Sequence, residues 1–316
     1  MSKLAVVALG GNTLLRGNQS GTVREQEQNA FDTCKSLVDL ILRGYTVVIT
    51  HGNGPQVGNL ILKNEAGYEK FLLPKMPLDV CVAESQGQIA HIVAQQMERL
   101  LLQHNIQKEV VSMVTHVEVD PKDPAFQNPT KPVGQFFLKE EADLLAKANG
   151  WQFREDPRKR GWRRVVASPK PTFVRSANIV KKLTDDGHIV ICVGGGGIPV
   201  IKNGYGTIKG VEAVIDKDLA SSVLATQIGA DELIILTDVP RAYINFQQEN
   251  ETALDQVTVD EVEIYLKNGE FAAGSMGPKM EAAVQFIRNG GKRAVITEAG
   301  ELGKANPGTR IIAKNG

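Results

Sequence analysis

Residues 188–200 read HIVICVGGGGIPV, an almost wholly apolar run that breaks into four consecutive glycines and leaves through Ile198 and Pro199. A half-buried strand alternates apolar and polar residues, whereas a run apolar at odd and even positions alike suits a parallel sheet covered by helices on both faces. Similar runs recur at LAVVAL (4–9), YTVVIT (45–50), EVVSMV (109–114), ELIILT (232–237) and RAVIT (293–297). Helical periodicity fills the intervals at Thr22–Arg43, Asp79–Gln103, Asp216–Ile228, Val259–Lys267 and Pro278–Asn289. The fold class that follows is α/β, a three-layer α/β/α sandwich around a largely parallel central sheet. On the second helix Ala83, Gly87, Ala90, Ala94, Met97 and Leu101 share one face, which reads as packing.

Composition narrows the function classes. With 316 residues and 42% hydrophobic content the chain can bury a large core, as about two domains or as one large α/β domain. Lys plus Arg and Asp plus Glu balance at 36 each, which argues against a polyanion such as nucleic acid as partner. Cys34, Cys81 and Cys192 are odd in number and set among apolar residues, the pattern of reduced core thiols. The apolar run near the N-terminus is too short for a signal h-region, and no stretch approaches a membrane span. A soluble cytoplasmic protein is expected.

From His116 to Pro171 the pattern changes. That stretch holds seven of the chain's 14 prolines and both tryptophans, Trp151 and Trp162. It reads as an inserted subdomain or lid, 116–171, of hairpins around one helix at Lys139–Asn149. Its basic run Arg154–Arg164 carries six positive and two negative side chains. A solvated hairpin accounts for that run better than a nucleic-acid patch, because Asp, Glu and Pro are interleaved.

The glycines of the opening stretch are not isolated. LAVVAL runs into Gly10, Gly11 and Asn12; YTVVIT runs into HGNGPQVG, with Gly52, Asn53 and Gly54; HIVICV runs into Gly194, Gly195, Gly196 and Gly197. Loops after the carboxyl ends of parallel strands are where open α/β sheets bind ligands, and bare backbone lets N–H groups approach an anion. Neither a Walker A element nor a G-x-G-x-x-G fingerprint fits, and there is no H-E-x-x-H, C-x-x-C, G-x-S-x-G or H-R-D. Beside the glycine and proline motifs stand Lys131 in NPTKPVG, Lys217 in VIDKDLAS and Lys279 in GSMGPKMEA. Phosphoryl transfer works chiefly by positioning and charge neutralisation, so converging lysines with nearby Asp216 and Asp218 are the parts it needs. His51 abuts Gly52 and reads as a loop-packing or substrate-orienting residue before a proton carrier.

ALGGN, THGNGPQVG, NPTKPVG, VGGGGIPV, VIDKDLAS, LTDV and AAGSMGPKMEAA, in this order, resemble the carbamate kinases of the amino-acid kinase superfamily across the chain. The resemblance implies reversible transfer between ATP and carbamate, giving ADP and carbamoyl phosphate, with Mg²⁺ carried on the nucleotide. It assigns Gly10, Gly11, Asn12, Gly52, Asn53 and Gly54 in the N-terminal half to carbamate or carbamoyl phosphate. Lys217, Thr237, Asp238, Tyr243, Gly274, Met276 and Lys279, in the half from about 198 to 316, go to ATP or ADP. Gly194, Gly195 and Gly196 then lie between the halves, where a side chain would obstruct the transferring group. Lys131, Lys217 and Lys279 neutralise that group, Asp218 orients Lys217 and Lys279, and Asp216 is the one protein carboxylate offered to the metal shell. A homodimer and a role in arginine, agmatine or purine breakdown are likewise implied. Other superfamily members carry a lysine where this chain has Ala8, and Lys131 supplies that cation. Pro240 and Arg241, after LTDV, depart from any pattern the resemblance requires. The rivals are a kinase of another small acid and a nucleotide sensor without catalysis.

Overall fold

The computed structural model describes residues 3–11, 14–15, 19–156, 159–204, 206–272 and 274–314. The chain opens with β1 (Lys3–Leu9), α1 (Val23–Leu42), β2 (Tyr45–His51), α2 (Gly54–Phe71) and α3 (Leu78–Gln103). Next come β3 (Val110–Ser112), β4 (His116–Val119), β5 (Lys131–Phe137), α4 (Lys139–Asn149), β6 (Gln152–Glu155), β7 (Trp162–Val166) and β8 (Pro171–Val174). They are followed by α5 (Ala177–Asp185), β9 (Ile189–Ile191), β10 (Ile198–Lys202), β11 (Ile208–Gly210), α6 (Lys217–Gln227) and β12 (Glu232–Leu236). The last part comprises β13 (Tyr243–Ile244), β14 (Thr252–Ala253), β15 (Gln256–Thr258), α7 (Val259–Lys267), α8 (Met276–Arg288), β16 (Arg293–Thr297) and β17 (Thr309–Ile312).

Eight strands form the central sheet in the order β15-β17-β16-β12-β1-β2-β9-β3. The six apolar runs lie side by side in it, from β16 to β3, all parallel. Their two-faced apolar character follows from the layers. Ala5, Val7 and Leu9 of β1 pack into one core with Leu37, Val93 and Met97, while Val6 and Ala8 pack into another with Leu224 and Phe286. The β16–β17 pair runs antiparallel. All three cysteines are buried free thiols, so burial pushes those of Cys34 and Cys192 up to about 12.

Two helices escape the apolar periodicity. Helix α2 occupies part of what reads as a glycine loop, and α5 precedes β9. In α2 the local helix signal is Pro55 in the first turn after Asn53, against which stand Gly54, Gly58 and Gly67, each a poor helix former. On α3 the buried face is wider than the expected stripe: Ala90, Met97 and Leu101 are buried with Ile89, Val93 and Leu100, but Gly87 is exposed.

Between β4 and β8 the chain builds a separate antiparallel sheet, β5-β7-β6, with α4 packed on it and Phe137 edge-on to Phe153 at 5.6 Å. Strands β4 and β8 pair antiparallel, Val117 opposite Val174, inside a four-stranded sheet β11-β10-β4-β8. Local partners take up much of the basic run: Arg160 pairs with Asp156, Arg154 donates to Asn128, and Arg164 pairs with Glu212 while lying 4.0 Å from the Trp151 ring centre. Among the described residues no helix is long and apolar enough to cross a membrane.

Candidate active site

A cavity of about 360 Å³ opens beyond the carboxyl ends of β1, β2 and β12. Three helices point their N-termini into it: α2 from Gly54, α6 from Lys217 and α8 from Met276, whose first turns supply Pro55, Lys217 and Pro278 to the lining. Each N-terminus brings the positive end of a helix dipole, roughly half a charge, toward the cavity and so favours an anion there. The inserted sheet closes one side with Lys131, Pro132 and Val133.

The charges form two linked clamps. Asp218, 3% exposed, holds Lys217 Nζ at 2.5 Å with Oδ1 and Lys279 Nζ at 2.9 Å with Oδ2. Asp216 caps α6, its Oδ1 accepting from the N–H groups of Asp218 and Leu219, while Oδ2 receives Lys131 Nζ at 2.9 Å. In the clamps three ammonium groups meet two carboxylates; Asp238, also on the lining, brings the cavity to three charges of each sign. Burial raises the Asp216 carboxyl, but Lys131 and Lys217 outweigh it and hold the group at about 2. Burial lowers the Lys217 ammonium, with Asp218 opposing.

The four-glycine turn is shaped by its neighbours. A Cβ on Gly194 would lie 2.4 Å from the His51 ring, one on Gly195 2.2 Å from the Asn53 amide, one on Gly196 2.5 Å from the Ile215 carbonyl and one on Gly197 2.2 Å from Val117. Gly195 lines the cavity; Gly194 and Gly196 do not. Side chains at these four positions would collide with buried protein, a close-approach constraint separate from any part they would play in the path of the transferred group. Preceding the turn, Val193 sits at φ 53°, a strained conformation for a β-branched residue that costs about 1–3 kcal/mol.

The amino acid kinase family model matches residues 3–298. The chain belongs to the amino acid kinase family. Carbamate kinase from Pyrococcus horikoshii is 50% identical over 98% of this chain and 99% of its own. Carbamate kinase from Pyrococcus furiosus is 48% identical over 99% of this chain and 100% of its own. The structure of carbamate kinase from Giardia lamblia bound to AMP-PNP superposes with a TM-score of 0.91 at 43% identity, covering 99% of both chains.

In this member of the amino acid kinase family, Gly10, Gly11, Gly52, Asn53, Gly54, Lys131, Asp216, Lys217, Asp218, Thr237, Asp238, Gly274 and Lys279 all line the one cavity. Tyr243 and Met276 do not: Tyr243 packs 6.0 Å from Phe246, and Met276 is half-buried against the core. Asn12 lies outside the described residues. Gly10 brings β1 and β12 together, since a Cβ there would meet the Leu236 carbonyl at 2.8 Å. Gly52 leaves room for the Lys217 stem at 3.2 Å. The His51 ring is buried, which lowers it to about 4; its Nδ1 bonds the Gly52 carbonyl at 3.0 Å, so Nδ1 carries the proton. Sequence reasoning missed Val57, Val133, Ile215, Ser275 and Pro278 in the lining. Pro55 beside an Asn cap could have announced the α2 terminus; the apolar lining residues carry no local signal. No group of three or more His, Cys, Asp or Glu side chains among the described residues is arranged to hold a metal.

Proposed function

We propose that the protein is a carbamate kinase, catalysing reversible phosphoryl transfer between carbamoyl phosphate and ADP. A terminal oxygen of ADP attacks phosphorus, the bond from phosphorus to the carbamoyl oxygen breaks, and carbamate departs as the anion with ATP formed. The carrying observation is the double clamp, in which Asp216 and Asp218 present Lys131, Lys217 and Lys279 to one cavity walled by three helix N-termini. Such preorganised cations stabilise the charge spread over the transferring group without having to reorganise. Near-full-length similarity to carbamate kinases supports carbamate as the leaving group.

In this reading the loops after β1 and β2 hold carbamoyl phosphate, and Thr237, Asp238, Gly274 and Lys279 hold the nucleotide. Mg²⁺ fits as the nucleotide's counter-ion, supplying neutralisation of its phosphates. The Asp216 and Asp218 carboxylates are already engaged by lysines, and Asp216 also by helix amides, so neither stands ready as a metal shell. Segment 116–171 acts as a lid: Lys131 reaches the cavity from it and keeps 36% of its side chain exposed, so closure gates turnover. The enzyme works as a cytoplasmic homodimer on carbamoyl phosphate from catabolic transcarbamoylation, as in arginine breakdown. Exposed Tyr68, Phe71, Leu72 and Leu73 at the end of α2 support an interface.

The test is ATP formation from ADP and carbamoyl phosphate by purified protein with Mg²⁺, against acetyl phosphate and a blank without phosphoryl donor. Rapid ATP formation with carbamoyl phosphate alone is the expected result. Intact nucleotide binding with no ATP formed overturns it.

A further inference from the structure

Helix α3 does not line the cavity, yet two adjacent polar side chains on it are buried: Ser85 completely and Gln86 to 2% exposure. Burial of neutral polar groups is tolerated when each is bonded, so their partners indicate their use. Ser85 Oγ donates to the Val82 carbonyl at 2.7 Å and accepts from Asn53 Nδ2 at 2.8 Å. Because its single proton is committed to Val82, only the NH₂ end of the Asn53 amide can face it. The amide orientation is thereby fixed, with Nδ2, Cγ and Oδ1 at 2.2, 2.3 and 2.6 Å from where a Gly195 Cβ would stand.

Gln86 acts on the opposite loop. Its Nε2 donates to the Gly194 carbonyl at 2.9 Å, and its Oε1 accepts from the Thr115 N–H at 2.8 Å. Thr115 Oγ1 in turn accepts from the N–H of Val193, the residue held at φ 53°. A β-branched residue stays in that region only when its surroundings over-determine it. One helix thus reaches both walls of a single contact, Asn53 on one side and the glycine turn on the other.

We propose that Ser85 and Gln86 are positioning residues for the acid half of the site. Neither touches substrate; together they set the Asn53 amide against Gly195. The hydrogen bonds of this pair go to Asn53, Val82, Thr115 and Gly194, and none reaches the cavity residues that follow β12 or begin α8. Their effect therefore falls on the acid and spares the nucleotide. This inference rests on the carbamate kinase reading for its choice of substrate.

Ser85→Ala removes only a hydroxyl, and Gln86→Met keeps the chain length without the bonds. For each, kcat/KM for carbamoyl phosphate is expected to fall about ten- to a hundredfold, while ADP affinity by calorimetry stays within about twofold of wild type. Unchanged kcat/KM, or an equal loss of ADP affinity, overturns the positioning role. A wild-type protein that makes no ATP from carbamoyl phosphate overturns the functional reading instead. Crystal structures then decide the positioning role without any substrate: the Asn53 amide turns in Ser85→Ala and the Gly194 carbonyl moves in Gln86→Met. Coordinates that superimpose on wild type at both places overturn it.

Discussion

Gly58 of α2 and Gly134 of β5 lie back to back, so close that a methyl group on Gly58 would stand 2.9 Å from the Gly134 Cα. The obstacle is backbone and cannot rotate away. Gly58→Ala is expected to push β5 off α2, destabilising the protein by about 1–3 kcal/mol. Lys131 lies three residues along the same strand, so turnover should fall by about a hundredfold if the ammonium shifts by ~1 Å. Gly67→Ala is the matched control on the same helix: its Cβ would meet Leu73 at an ordinary 3.5 Å. Melting temperatures and turnover of the two variants, side by side, separate seating of the inserted sheet from helix propensity.

Removing any one ammonium by Lys131→Ala, Lys217→Ala or Lys279→Ala should lower turnover about 10²- to 10³-fold. Asp218→Asn weakens both lysine contacts of one clamp at once and should resemble the Lys217 and Lys279 variants in turnover. Near wild-type rates in all three lysine variants would show that the transferring charge is met elsewhere.

The glycines divide into two kinds that substitution can tell apart. Among the described residues nothing lies within 4 Å of where a Cβ on Gly11 would stand, whereas one on Gly195 would meet the Asn53 amide at a position where φ is already +65°. Gly11→Ala should therefore lose no stability, gaining about 0.4–1 kcal/mol from the lower entropy of the unfolded chain, and raise KM for carbamoyl phosphate. Gly195→Ala should lose stability as well as activity. Comparing thermal melts with KM tests whether the open space at Gly11 belongs to the ligand.

His51 gives a pH signature. Burial holds its ring at about 4 in the folded protein, below the ordinary 6.5. A histidine depressed on folding takes up its proton first in the unfolded chain, so the folded state loses stability as pH falls from 6.5 to 4. The loss over that window amounts to about 3 kcal/mol. Urea midpoints measured at intervals from pH 7 to 4 should fall more steeply for wild type than for His51→Gln. Parallel curves would mean that the ring is not buried as a neutral group.

Legibility in the sequence followed the range of the forces involved. Six central strands were readable because burial on both faces puts apolar residues at odd and even positions alike, but β15 and β17, reading QVT and TRII, mix in polar residues and carry too little apolar pattern. The helical character of α2 was hidden because Gly58 is selected by contact with Gly134, a partner 76 residues away that no local window contains. Lys131, Lys217 and Lys279 stood out beside glycine and proline, and the sequence also suggested Asp218 for the last two. The geometry adds what spacing cannot carry: that Asp216 meets Lys131 across 85 residues. The glycine turn was found for a real reason, close approach, but the approaching groups are protein.

Strands β4 and β8 enter and leave the inserted segment as hydrogen-bonded neighbours, Val117 opposite Val174. Its two ends are therefore tethered within one strand spacing, about 5 Å, whatever lies between them. Such a stalk makes the segment an exchangeable cassette: a turn or a different module grafted at 120–170 would leave the register of both main sheets untouched. What the graft would take away is Lys131, so cassette identity and cation supply are inherited together.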